Sequence, residues 1–333
     1  MATQRSAPAR QYALFAWSRH LRRQPPGSGR HGPSARGGRM NAPANRAPGS
    51  WLVRCSAPSA GERLFCFPYA GGNPYLFREW PALLDHAYEL FALQAPGKGA
   101  RILEPPCQTI AALIDGLMPV IEPMLAQRSF SFYGHSNGAV IAFELACRLQ
   151  QRGLPMPRHL ILTGSPAPWT RIQERDYLRI PDEAFVQVLR ELQGTSEEVL
   201  ADRELLKVVM PGLRADFAQG QSYRFEHPVP LNVATTLVHG KEDSFEIERT
   251  RAWQQKLLRP ATLHRMPGGH FFIHRHMHEL IALVGRTLRG EQIAGAERLS
   301  PDPASHNPHR TPEHRQENKL EHQSEHQEGN AHV

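Results

Sequence analysis

Ser136 stands inside Gly134-His135-Ser136-Asn137-Gly138, directly after the apolar run 129–133 and directly before a helical stretch. A serine between a strand and a helix on so tight a turn can act as a nucleophile towards an acyl carbon. The turn strains the backbone, and bulky neighbours would obstruct it. Gly134 and Gly138 supply the clearance. The helix that follows aims its first amides at the place where an oxyanion would form, and the amide of Asn137 can donate to it.

A serine hydroxyl needs a base, and the base needs a third group to orient it. In α/β-hydrolase chain order the acid follows the serine and the histidine comes last. The apolar run 235–239 leads into Gly240-Lys241-Glu242-Asp243, and 262–266 leads into Pro267-Gly268-Gly269-His270. Asp243 and His270 therefore fall on loops after consecutive strands, with Glu242 as the competing acid. His135, beside the nucleophile, is expected to shape the turn and not to move protons.

These side chains need a sheet whose strands end on one edge. Short apolar runs at 51–54, 63–67, 90–94, 129–133, 159–163, 235–239 and 262–266 read as strands. Amphipathic stretches at 74–86, 108–127, 138–152, 246–258 and 271–288 read as helices between them. That alternation predicts an α/β domain over 51–290, a mostly parallel sheet with helices on both faces. One gap interrupts it. Between 163 and 235 there is no strand signal, only helical pieces at 181–193, 196–200 and 202–219, so this insertion is expected to cap the site as a lid. A second oxyanion donor is expected from the small residues after the strand 63–67, in Tyr69-Ala70-Gly71-Gly72. No Gly-x-Gly-x-x-Gly or P-loop lysine follows that strand, which excludes a phosphate cradle there.

The chain has 333 residues and a formal charge of +7. A basic balance ordinarily suggests nucleic acid or an anionic membrane, but its distribution argues against both. Residues 1–61 hold ten arginines and no acid, and 291–333 hold eight acids against four bases, which leaves +1 for residues 62–290. The segment 1–50, rich in Arg, Pro and Gly, is expected to be a disordered arm, with Met40 as the favoured true start. Organelle targeting and a nucleic-acid arm are the disfavoured alternatives for it. The tail 291–333, rich in His and Glu, is expected to be disordered too. No metal site is expected, because the tail histidines lack ligand spacing and the residues of His274-Arg275-His276-Met277-His278 would point to different helix faces. No apolar run reaches the ~18 residues of a membrane helix. Cys66 and Cys147 lie in apolar runs, which suits reduced thiols and a cytoplasmic protein.

Five motifs resemble, in order, those of the type II thioesterases that accompany non-ribosomal peptide and polyketide synthetases. They are Phe67-Pro68-Tyr69-Ala70-Gly71-Gly72, Ala95-Pro96-Gly97-Lys98-Gly99-Ala100-Arg101, Gly134-His135-Ser136-Asn137-Gly138-Ala139, Leu213-Arg214-Ala215-Asp216-Phe217 with Tyr223, and Pro267-Gly268-Gly269-His270-Phe271-Phe272. The resemblance covers about 51–288. It implies an α/β-hydrolase fold, a Ser136/Asp243/His270 triad, and an oxyanion hole from the amides of Ala70 and Asn137. It implies a mobile lid at about 168–225 and hydrolysis of acyl or aminoacyl thioesters from the phosphopantetheine arm of carrier proteins. No further cofactor and no metal are implied, and a monomer is expected. Two residues depart from the family pattern: Asn137 stands where Met or Leu is usual, and Lys98 where Arg is usual. A polar side chain at 137 can change acyl preference. A general carboxylesterase or lipase shares the same chemistry and is the alternative, with a non-catalytic binding module of the same fold behind it.

Overall fold

The computed structural model describes residues 50–59, 61–84, 86–170, 176–192 and 194–300. The expectations for the arginine-rich arm, for Met40 and for the tail beyond 300 fall outside them. Eight strands form one sheet: β1 (Leu52–Arg54), β2 (Arg63–Phe67), β3 (Glu89–Leu93), β4 (Phe130–His135), β5 (His159–Thr163), β6 (Ala234–Gly240), β7 (Thr262–Met266) and β8 (Glu297–Arg298). Their spatial order is β1-β3-β2-β4-β5-β6-β7-β8. The six strands β2 to β7 are mutually parallel, and only the edge strands β1 and β8 run antiparallel.

Every residue of β2, β3 and β4 is buried, as expected of parallel strands covered on both faces. Their side chains alternate between two cores. Phe65, Phe67 and Phe132 point to one, with Leu113, Leu117 and Ile121. Leu64, Cys66 and Tyr133 point to the other, with Trp80, Leu280 and Val284. The helices are α1 (Trp80–Leu83), α2 (Ile110–Leu125), α3 (Asn137–Gln151), α4 (Asp182–Leu192), α5 (Glu197–Ala201), α6 (Arg203–Ser222), α7 (Ile247–Arg251), α8 (Phe272–Arg275) and α9 (Met277–Leu288). Helix α2 shows why such segments fold this way. Ile110, Leu113, Ile114, Leu117, Ile121 and Leu125 recur at helical spacing and are buried, and the Thr109 hydroxyl caps the first turn by accepting from the amide of Ala112.

Several expected elements differ in detail. The stretch 74–86 is a 3-10 turn at Pro74–Phe77 followed by the short α1, because Pro81 lacks the N–H that a continuous helix would need. The stretch 271–288 breaks at His276 (φ −118, ψ 36) into α8 and α9. The domain also runs past 290. Leu299 is buried in the core and donates its amide to Ala261 O at 2.8 Å, and Glu297 pairs with Arg251 at 2.8 Å. These contacts tie residues 297–299 to the sheet, where the composition predicts a solvated tail.

The insertion between β5 and β6 is helical, as predicted. Helices α4, α5 and α6 close around a small core of their own, made by Phe185, Leu189, Val199, Leu200, Met210 and Leu213.

Candidate active site

Strand β4 delivers Ser136 to the sheet's C-terminal edge. Ser136 has φ 55 and ψ −116, a left-handed conformation that non-glycine residues adopt only when their surroundings impose it. Two things impose it here. The Ser136 amide extends the sheet ladder by donating to Thr163 O at 2.8 Å, while the chain turns at once into α3. The flanking glycines permit the close approach. A Cβ on Gly134 would lie 2.2 Å from Gly138 O, and one on Gly138 would lie 2.0 Å from Phe67 O.

The loops after β6 and β7 bring the other two predicted residues to Ser136. The amide of Lys241 donates to Met266 O at 2.8 Å and that of Glu242 to Gly268 O at 3.1 Å, so the two loops are tied together. His270 Nε2 lies 2.9 Å from Ser136 Oγ, and His270 Nδ1 lies 3.2 Å from each carboxylate oxygen of Asp243. With a proton on Nδ1, the imidazole donates to the carboxylate, and Nε2 is left to accept from the serine hydroxyl. The Asp243 side chain is 0% exposed and that of His270 24%, so the acid is shielded while the base stays accessible. Asp243 Oδ1 also accepts from the amide of Ser244 at 2.8 Å. Glu242, the competing acid, is exposed.

A buried chain of hydrogen bonds, absent from the sequence expectations, holds the backbone of His270. His135 is fully buried, with Nε2 3.0 Å from His270 O and Nδ1 2.8 Å from Thr163 Oγ1. The Tyr133 hydroxyl is 2.9 Å from the same Thr163 oxygen. Since the carbonyl of His270 can only accept, His135 carries its proton on Nε2. Its Nδ1 then accepts from Thr163, and Thr163 accepts from Tyr133. Burial keeps His135 neutral by pushing its pKa well below the usual histidine value, and a proton on the neighbouring His270 would act in the same direction. His135 thus shapes the turn, as expected, and also fixes where the loop of His270 sits. A histidine beside the nucleophile and a threonine at a strand end were the only sequence signals of this chain.

Across the edge, the loop after β2 carries Ala70. The contact of Gly138 with Phe67 and Pro68 sets the start of this loop against the start of α3. Asn137 is the first residue of α3, where an amide has no partner within the helix. Tyr69 Oη and His274 Nε2 are hydrogen-bonded at 2.8 Å, which anchors the loop to α8. Burial lowers the pKa of His274 to about 4, so it stays neutral. His276 instead contacts Glu279, at 2.5 Å. No group of three or more His, Cys, Asp or Glu among the described residues is placed to hold a metal ion.

The lid joins the same loop. Asp216 on α6 is 3% exposed; its Oδ2 accepts from the amide of Gly71 at 2.6 Å and from the ammonium of Lys98. Further along α6, Gln219 contacts Asn137 at 3.4 Å, and Tyr223 O–H donates to Glu144 of α3 at 2.8 Å. Between lid and loop lies an open groove lined by Gly71, Lys98, Ile102, Val199, Val209 and Leu213.

Residues 62–288 match the family model of the thioesterase domain. The chain belongs to the thioesterase family. Among its relatives is the gramicidin S biosynthesis protein GrsT of Aneurinibacillus migulanus, 36% identical over 241 residues, or 72% of this chain and 94% of that protein. Thioesterase PikA5 of Streptomyces venezuelae is 32% identical over 240 residues, 72% of this chain and 85% of that one. Among solved structures, the type II thioesterase BorB from the borrelidin biosynthetic cluster superposes with a TM-score of 0.66 at 30% identity, covering 74% of this chain and all of BorB. The protein is a type II thioesterase with the α/β-hydrolase fold, a hydrolase of thioesters. No helix of this thioesterase among the described residues is long and apolar enough to cross a membrane.

Proposed function

We propose that this thioesterase frees acyl and aminoacyl groups from the phosphopantetheine arms of carrier-protein domains in a peptide or polyketide synthetase, through an acyl-enzyme on Ser136. The observation that carries the reading is the continuous chain Ser136 Oγ to His270 Nε2 and His270 Nδ1 to Asp243, set beneath a helical lid. The relatives' names, GrsT and PikA5 among them, support the synthetase setting.

His270 removes the Ser136 proton as Oγ attacks the thioester carbonyl, and Asp243 steadies the imidazolium that results. The amides of Ala70 and Asn137 stabilise the oxyanion, each such donor being worth about 3 kcal/mol. As the tetrahedral species collapses, the C–S bond breaks and the thiol leaves with the proton from His270. Water, deprotonated by the same imidazole, attacks the acyl-enzyme, and the C–O bond to Ser136 breaks as the serine regains its proton. The chemistry draws on side chains and backbone amides alone, with the phosphopantetheine belonging to the substrate. The carrier domain is the macromolecular partner in this reading, and the thioesterase is a cytoplasmic monomer. Buried thiols at Cys66 and Cys147 suit that compartment.

The test offers acyl- and aminoacyl-loaded carrier proteins, free acyl-CoA and a chromogenic ester to the wild type and to Ser136→Ala. Carrier-bound thioesters are expected to be hydrolysed fastest, with activity lost in the variant. Ester turnover without acceleration on any carrier-bound thioester would establish the carboxylesterase alternative instead, and activity surviving Ser136→Ala would overturn the mechanism.

A further inference from the structure

A buried acceptor next to the nucleophile has no partner. The Asn137 side chain belongs to a residue only 7% exposed, and its Oδ1 makes no hydrogen bond among the described residues. The orientation of the amide follows from its neighbour. Gln219 Nε2 donates to the carbonyl of Cys107 at 2.6 Å, so Gln219 must turn Oε1 towards Asn137. An oxygen facing an oxygen would repel, so Asn137 presents Nδ2 to Gln219 and its Oδ1 is left over. A buried carbonyl without a donor is unfavourable by about 1–3 kcal/mol, which singles out this atom among the polar groups of the site.

The residue also borders a space. A small cavity, distinct from the larger groove, is lined by Leu93, Leu113, Ile141, Asn137, Asp216 and Gln219. Its lining is part apolar and part polar, and the polar part holds Asn137 and the Asp216–Lys98 pair, whose charges already offset each other. Asn137 Oδ1 is the fully buried acceptor there that has no partner. It belongs to the residue following Ser136, about 3.8 Å away between Cα atoms, on the turn to which an acyl group would be joined.

We infer that Asn137 Oδ1 selects acyl groups that carry an N–H or O–H donor on the α or β carbon. This rests on the proposed acyl-enzyme at Ser136. An amino or hydroxyl group there completes the bond that Oδ1 lacks, whereas a methyl in the same place leaves the oxygen buried and unpaired.

Pantetheine thioesters of matched shape test it. One pair is 2-aminobutyryl and 2-methylbutyryl, the other 3-hydroxybutyryl and 3-methylbutyryl. Within a pair, kcat/KM is divided by the uncatalysed hydrolysis rate, and the ratio of donor-bearing to methyl substrate is compared between enzymes, which cancels any general loss of rate. The wild type is expected to favour the donor-bearing member of at least one pair by about tenfold or more. The pair that responds identifies an amino or a hydroxyl donor. Asn137→Leu should bring the ratio to unity or below, and Asn137→Asp, which keeps an acceptor, should retain it. Asn137→Ala, which needs no extra room, takes the place of the leucine variant if that one does not fold. Ratios near unity in both pairs, or a preference unchanged by Asn137→Leu, would overturn the inference. Ser136-dependent hydrolysis of the methyl substrates at full rate would leave the proposed function standing while this inference failed. Absence of any Ser136-dependent hydrolysis would fail both.

Discussion

The strand-end loops that carry Ser136, Asp243 and His270 and the helical insertion α4–α6 are built on different terms. The first region is held by backbone. Ser136 continues the ladder to Thr163, the loops after β6 and β7 are bonded to one another, and side chains such as His135 and Tyr133 are fully buried between strands. The second has its own small core and meets the rest of the site through a few polar side chains, Asp216 to Gly71 and Lys98, Gln219 to Cys107 and Asn137, and Tyr223 to Glu144. Groups that must keep reacting atoms in register stand on the rigid part, and those that enclose the substrate stand on the part with fewer ties. Substitutions in the first region should therefore act on kcat, and substitutions in the second on KM and lid order.

The largest effect should come from the reacting residues. Ser136→Ala is expected to lower kcat by about 10⁴-fold or more, and Asp243→Asn by about 10⁴-fold through the wrong imidazole tautomer, with the thermal midpoint of either little changed. A loss of binding in place of turnover would break the comparison. Next comes the buried chain behind His270. Thr163→Val leaves His135 Nδ1 and the Tyr133 hydroxyl without their partner, and kcat should fall about ten- to a hundredfold at unchanged KM, with a stability loss of about 1–3 kcal/mol. Thr163→Ser should restore kcat, which a merely space-filling role for Thr163 would not predict.

On the lid side, Asp216→Asn removes the charge that Lys98 faces while keeping an oxygen for the Gly71 amide. We expect a smaller loss, about three- to tenfold in kcat/KM and carried mostly by KM, with faster amide hydrogen exchange in α6. Unchanged exchange in α6, or a loss carried by kcat alone, would show that the lid is not tied down there. The smallest effect concerns pH. His274 has its pKa lowered from 6.5 to about 4 by burial, so between those values the unfolded chain binds a proton that the folded chain refuses. Its contribution is complete above pH 6.5 and is lost progressively as pH falls towards 4. His135, lowered by the same cause, adds to the same slope. His274→Gln should flatten the decline of the thermal midpoint across that window by a few degrees, and an unaltered slope would remove His274 from the account.

Much of this was legible from short motifs. Gly134 to Gly138 between a strand and a helix announced the turn, because only glycine tolerates the approach to Gly138 O and Phe67 O that the fold demands. Asp243 and His270 were legible because each follows an apolar run at the place where a parallel strand must end. Strand β8 was not, since Glu297 and Arg298 are exposed and carry no apolar period, and their pairing depends on Leu299 and Arg251 from elsewhere. The lid's helices were legible, and its attachments were not, because Asp216 and Gln219 look like ordinary polar positions until α6 is folded down.

The amino-acid sequence by itself determined the alternation of strands and helices, the strained turn at Ser136 and the chain order of serine, acid and histidine, because these depend on local period and on residues a few positions apart. Tertiary structure alone decided the choice of Asp243 over Glu242 as the carboxylate facing His270. It also decided the tautomer of His135 imposed by the carbonyl of His270, and the stranding of Asn137 Oδ1 beside a cavity. The physical reason is common to all three. Hydrogen bonds join atoms far apart in sequence, and which donor or acceptor is left over depends on what every neighbour has already used.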